Sequence, residues 1–162
     1  MAFENDLIVL LPRLRRFARS LTPQAADADD LCQAAVERAL KSRDQWQPGT
    51  RLDSWMYRIV RNLWIDTKRV SMRRGPHDVI DDAALQVADD SHARMEGQMA
   101  LNDVDRAMDR LPNEQREAIA LVLVEGLAYK EAAAVLDIPM GTLTSRLVRG
   151  REALMRELGE AA

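Results

Sequence analysis

Between Gly75 and Glu96 the helical patterning that runs through the rest of the chain stops. The stretch RGPHDVIDDAALQVADDSHARME, from Arg74 to Glu96, holds a Gly-Pro breaker, little 3.6-residue periodicity and a run of aspartates. A chain of 162 residues suits one ordinary domain or two small ones. The break selects the second: a domain over 1–75, an acidic linker over 76–98 and a domain over 99–162. Charge follows the same division. Residues 1–75 carry 14 Lys and Arg against 9 Asp and Glu, residues 76–96 carry 1 against 6, and residues 97–162 carry 8 against 11. The linker reads as a flexible tether or as a segment lying on a basic partner surface.

Both flanks read as helices and no segment alternates as a strand would, so the fold class is all-α. Residues 4–21 carry an apolar stripe of Leu7, Leu10, Leu11, Leu14 and Phe17, with Pro12 as a candidate kink. A second helix over 28–42 has carboxylates at its start, where they suit the helix dipole. Pro48-Gly49 marks a loop, and a third helix spans 51–70. After the break, helices are expected over 99–111, from Pro112 to Gly126, over 129–136, and from Pro139 to the C-terminal end.

The last two have the proportions of a helix-turn-helix, with the turn at Asp137-Ile138-Pro139. Ala132, Ala133 and Leu136 suit close crossing of two helices. At about 100° per residue, Leu143, Leu147, Gly150, Leu154 and Leu158 share one face of the longer helix. Thr142, Ser145, Arg146, Arg149 and Arg156 share the other, offering hydroxyls and guanidinium groups to phosphates and base edges. A helical hairpin with a solvated basic face would look the same.

The third helix gathers Trp55, Tyr57 and Trp64 in a chain where aromatic residues make up only 4%. Leu52, Trp55, Met56, Ile59, Val60 and Leu63 fall on one arc, so Trp55 reads as core. Tyr57, Arg58, Arg61, Asn62, Trp64, Ile65, Lys68 and Arg69 fall on the other. Rings beside cations suit single-stranded nucleic acid, whose bases stack while Lys and Arg hold the backbone. Packing of Tyr57 and Trp64 against a neighbouring helix is equally consistent with the spacing. Asp66 lies inside the apolar arc, where a carboxylate needs a partner, so a structural ion pair is expected.

Other classes find little support. A single cysteine, Cys32, excludes an internal disulfide framework and a Cys-rich metal site, and reads as a small packing residue. His77 and His92 sit in the linker without ligands at metal spacing. No catalytic constellation, metal or cofactor is expected. The N-terminal apolar run is short and interrupted by Pro12, unlike a signal peptide or membrane span, which makes a cytoplasmic protein the expectation.

Taken together, DADDLCQAAVERAL, RLDSWMYRIVRNLWIDTKR, LPNEQREAIALVLVEGLAYKEAAAVL and IPMGTLTSRLVRGREAL match, in order, motifs of the extracytoplasmic-function (ECF) sigma factors. The chain resembles that family over nearly its full length. The resemblance implies a non-catalytic initiation subunit with core RNA polymerase, promoter DNA and an anti-sigma factor as partners. Asp29, Asp30 and Gln33 match the surface that docks on the polymerase clamp helices. Residues 51–69 match the −10 reader, with Arg58, Arg61, Asn62, Lys68 and Arg69 facing the opened strand, and the preceding loop from Trp46 to Asp53 helping hold a flipped base. Residues 139–156 match the −35 reader, with Thr142, Ser145, Arg146 and Arg149 as contacts.

Two departures stand out: Ala34 where the family often has Glu, and Thr144 where it often has Lys. The second implies altered affinity or sequence preference at −35. Delivery by a polymerase would also explain a net charge of only −3, which is awkward for a protein that must hold DNA alone. Two alternatives remain. A sigma-like decoy would occupy an anti-sigma factor without touching DNA. A dimeric repressor would use only the helix-turn-helix and leave the basic N-terminal half without a purpose.

Overall fold

The computed structural model describes residues 2–74 and 103–161, all of whose regular structure is helical. The expected linker, with His77 and His92, lies outside these residues. Helix α1 spans Ala2–Leu21, α2 Ala25–Lys41 and α3 Leu52–Arg74. Helix α4 covers 103–109. Helix α5 spans Asn113–Ile119 and widens into a π turn over Ala120–Val124. Helix α6 spans Tyr129–Leu136 and α7 Met140–Ala161.

The first three helices pack on one another because each carries an apolar stripe at helical spacing. Leu7, Leu10, Leu14, Phe17 and Leu21 of α1 meet Ala28, Leu31, Cys32, Ala35 and Ala39 of α2, and Met56, Tyr57, Val60 and Trp64 of α3, in one buried cluster. Small residues dominate the α2 stripe, which lets its backbone lie close to its neighbours. Pro12 sits inside α1 without ending it, and Leu11 is only partly buried.

In the C-terminal half α7 packs on α5 and α6. Leu143 and Leu147 are buried as the apolar face predicts. Gly150 has a steric reason to lack a side chain: a Cβ there would lie 3.0 Å from Ile119 Cγ1 and 3.2 Å from Gln115 Cβ. The turn between α6 and α7 places Asp137 at φ 56°, a left-handed conformation that closes α6. Its N–H and that of Ile138 donate to Ala134 O and Ala133 O. Pro112 is the N-cap of α5, its carbonyl accepting from Arg116 N–H at 2.9 Å.

The two halves do not stand apart. α1 packs against α5 and the π turn, and α3 packs against α6. Arg116 of α5 is a buried hub at this junction. Its guanidinium donates to Met108 O (2.8 Å), Leu21 O (2.9 Å), Asp109 O (2.6 Å) and Leu111 O (3.0 Å). Leu21 O is the end of α1, so one side chain ties the two halves together. Burial lowers the Arg116 pKa, with Asp109 opposing.

Candidate nucleic-acid interface

The cationic arc of α3 faces the C-terminal half. Tyr57 is 0% and Trp64 3% exposed, so both rings are core residues here and neither presents a face for stacking. Phe17 meets the Tyr57 ring edge-on at 5.1 Å. The Tyr57 hydroxyl donates to Glu125 Oε1 at 2.8 Å. Burial first, then that hydrogen bond, pushes the phenol pKa well above its usual value. Trp55, expected as core, is half-buried against Phe3, their rings 6.2 Å apart. Asp66 is exposed, so no burial demands the ion pair expected for it.

The cations of the arc differ in what they touch. Arg58 donates to the carbonyl of Ala134 in α6. Arg61 Nε donates to Glu117 Oε1 at 3.1 Å, and its side chain is 22% exposed. Lys68 lies over the Trp64 ring at 5.4 Å, its pKa lowered by burial and by Arg116. Asn62 and Arg69 are exposed. Ahead of this set, Arg51, just before α3, bridges Asp53 of α3 and Glu131 of α6. Asp53 also accepts from Arg13 of α1 at 2.9 Å. Burial alone would raise the Asp53 pKa; hydrogen bonds from Arg51, Arg13 and the Ser54 N–H outweigh it and bring the value to about 2.

Two carboxylates that the sequence reading did not single out organise this junction. Glu125 accepts two hydrogen bonds from Arg16, from Nε and Nη2, each 2.9 Å, besides the one from Tyr57. Its side chain is fully buried. Glu117 is 2% exposed, and burial raises its pKa against the pull of Arg61 and Arg146. A signal was present: Glu117 stands three and four residues before Ala120 and Leu121, on the buried stripe of α5.

On α7, Thr142, Ser145 and Arg146 are half-buried and Arg149 is exposed. Arg146 Nε lies 4.0 Å from Glu114 and its side chain is 23% exposed. Thr144 is exposed, its hydroxyl donating to Met140 O. On α2, Asp29, Asp30 and Gln33 lie on one outward face, all exposed, and Ala34 beside them is exposed too. The Gln33 amide reaches Glu37 at 3.5 Å.

Among the described residues no group of three metal-binding side chains occurs, and no helix is long and apolar enough to cross a membrane.

Residues 9–74 match the family model for sigma-70 region 2, and residues 101–154 that for sigma-70 region 4. The chain is 38% identical over 160 residues to the ECF RNA polymerase sigma factor EcfG of Rhodopseudomonas palustris, covering 94% of this chain and 83% of that one. Among solved structures, the sigma factor RpoE in complex with the anti-sigma factor NepR from Bartonella quintana matches with a TM-score of 0.80 at 33% identity, over 98% of this chain and 97% of that one. CnrH in complex with the cytosolic domain of CnrY shares the fold, with a TM-score of 0.73 at 24% identity over 99% of this chain and 90% of that one. The chain therefore belongs to the ECF sigma factor family, which binds RNA polymerase and directs promoter-specific transcription initiation.

Proposed function

We propose that this chain is a cytoplasmic, non-catalytic ECF sigma factor whose region 1–75 docks on core RNA polymerase and reads the −10 element. Region 99–162 reads the −35 element, and 76–98 links the two. Asp29, Asp30 and Gln33 form the docking face. Arg58, Arg61, Asn62, Lys68 and Arg69 hold the opened −10 strand, and Thr142, Ser145, Arg146 and Arg149 contact −35. An anti-sigma factor is the expected restraint, as in the complex of the similar RpoE with NepR.

The observation that carries this reading is the match to EcfG along 94% of the chain, which spans both halves rather than the helix-turn-helix alone. A repressor using only α6 and α7 has no need of the N-terminal half. A decoy needs no strand-reading residues, yet the α3 cations are all present in this chain. Tyr57 and Trp64, buried as they are, act by shaping α3 rather than by stacking on bases.

Run-off transcription with purified core polymerase, on promoters selected from the same genome, tests the proposal. The expected result is specific initiation that depends on this protein. Tight binding to an anti-sigma factor without specific initiation would favour the decoy.

A further inference from the structure

The loop from Trp46 to Asp53, to which the family resemblance gives a flipped −10 base, is held at both ends by α1. A 3-10 turn over Arg43–Gln45 leads into it. At its near end, Phe3 of α1 stands between Trp46, the first residue of the loop, and Trp55, in the first turn of α3. The Phe3 ring centroid lies 5.7 Å from that of Trp46 and 6.2 Å from that of Trp55, with the planes inclined by 50° and 69°. Arg43 covers the Phe3 ring at 5.2 Å and pairs with Glu4 at 3.4 Å. At the far end, Asp53 accepts from Arg13, about three turns further along α1.

Between these ends Gln47, Pro48, Gly49 and Thr50 are all exposed. Gly49 takes φ 94°, and the Thr50 N–H and hydroxyl both donate to Gln47 O, at 3.1 and 2.6 Å. The loop is thus a short closed turn with little packing of its own, and its placement comes from its ends. Trp46 Nε1 is buried without a hydrogen-bond partner among the described residues. Ring packing, rather than a polar tether, places the Trp46 side chain.

We propose that Phe3 is a positioning residue for −10 recognition, acting through Trp46 on the base-holding loop rather than on DNA. Extruding a base costs stacking energy that a fitted pocket must return. A pocket whose wall must first be ordered returns less of it. Without the Phe3 ring the loop keeps its anchor at Asp53 and loses the one at Trp46. Discrimination at the flipped base then falls, whereas the contacts of α7 at −35 are unaffected. This inference rests on the −10 reading proposed above.

Run-off transcription by holoenzymes of the full chain tests it, on promoters from the same genome substituted singly across −10 and −35. At each position, the ratio of transcript from the unsubstituted to the substituted promoter measures discrimination. In Phe3→Ala this ratio should fall at least about three-fold at one −10 position, an effect that one ring pair can supply. Across −35 it should stay at the wild-type value. Phe3→Tyr, which keeps the ring, should discriminate as the wild type does. Leu11→Ala, half-buried on α1 but outside the ring cluster, should change nothing at either element. Unchanged −10 discrimination in Phe3→Ala overturns the proposal, as does an equal loss at −10 and −35. An equal loss in Leu11→Ala or in Phe3→Tyr overturns it too. If Phe3→Ala does not fold, Phe3→Leu keeps apolar bulk without the ring, and unchanged −10 discrimination there overturns the proposal as well. The wild type separates the two layers. No discrimination at any −10 position removes the −10 reading and this inference with it, whereas discrimination that survives loss of the ring removes only the inference.

Discussion

The outward face of α2 and the cationic arc of α3 are neighbours in one bundle but present themselves differently. Asp29, Asp30 and Gln33 are exposed, and the Gln33 amide makes a long contact to Glu37 at 3.5 Å. Arg58 and Arg61 of α3 are committed to Ala134 and Glu117, and the rings that flank them, Tyr57 and Trp64, are buried. Charge and burial explain the contrast. Acidic side chains on a solvated helix face need no partner, whereas an arc with rings two turns apart, at i and i+7, buries apolar area only if another helix covers it. The proposed polymerase-docking face is thus open in the free chain, whereas on the proposed DNA-reading face the C-terminal half engages Arg58 and Arg61 and leaves Asn62 and Arg69 exposed.

The covered side is where substitutions should cost most. Arg116→Ala leaves four backbone carbonyls without their donor. We expect a loss of about 3 kcal/mol or more in chemical denaturation; a loss under about 1 kcal/mol would mean that the junction is not held by this hub. Gly150→Val drives a side chain into Ile119 and Gln115 and should cost about 2 kcal/mol in the same measurement.

Asp53 gives the contrast a pH signature. The guanidinium groups of Arg51 and Arg13 and the Ser54 N–H hold its folded pKa at about 2, below the ordinary 3.8. The stability it contributes is present above its unfolded pKa and is lost as pH falls from about 4 to about 2. Asp53→Asn should flatten the pH dependence of unfolding in that window; an unchanged slope would place the acid sensitivity elsewhere. On the open side, Asp30→Ala should change stability by no more than about 0.5 kcal/mol while weakening retention of core polymerase in a pull-down. A stability loss without weaker retention would reverse the roles given to the two faces.

The smallest effect tests a local reading. Asp137 holds φ 56° at the turn of the helix-turn-helix, a conformation that Gly adopts without strain. Asp137→Gly should be neutral or slightly stabilising, whereas Asp137→Val should cost about 1–2 kcal/mol.

Helix positions were legible because each stripe is local. Leu143 and Leu147 on α7, and Leu7, Leu10, Leu14 and Phe17 on α1, follow from spacing alone and are buried. What spacing could not supply was the second cover on α3. Tyr57, Arg61, Trp64 and Lys68 stand at i, i+4, i+7 and i+11, a buried-stripe pattern, yet their cations suggested a surface. The acceptors that resolve this lie far along the chain, Glu125 at 68 residues from Tyr57 and Glu117 at 56 from Arg61. Asp66 failed in the opposite sense: a wheel drawn over the whole helix placed it among apolar residues, but the packed face has turned away there and the carboxylate is exposed. Resemblance carried the assignment of roles, which no helical wheel contains.

The most direct test of a docking face that is open and a DNA face that is partly covered is photo-cross-linking from Asn62, an exposed residue beside the covered Arg61. With a photoreactive amino acid at that position, promoter DNA should cross-link only after core polymerase is added, with the label in the −10 strand. Equal cross-linking by the free protein, or none in a holoenzyme that initiates transcription, would contradict the account.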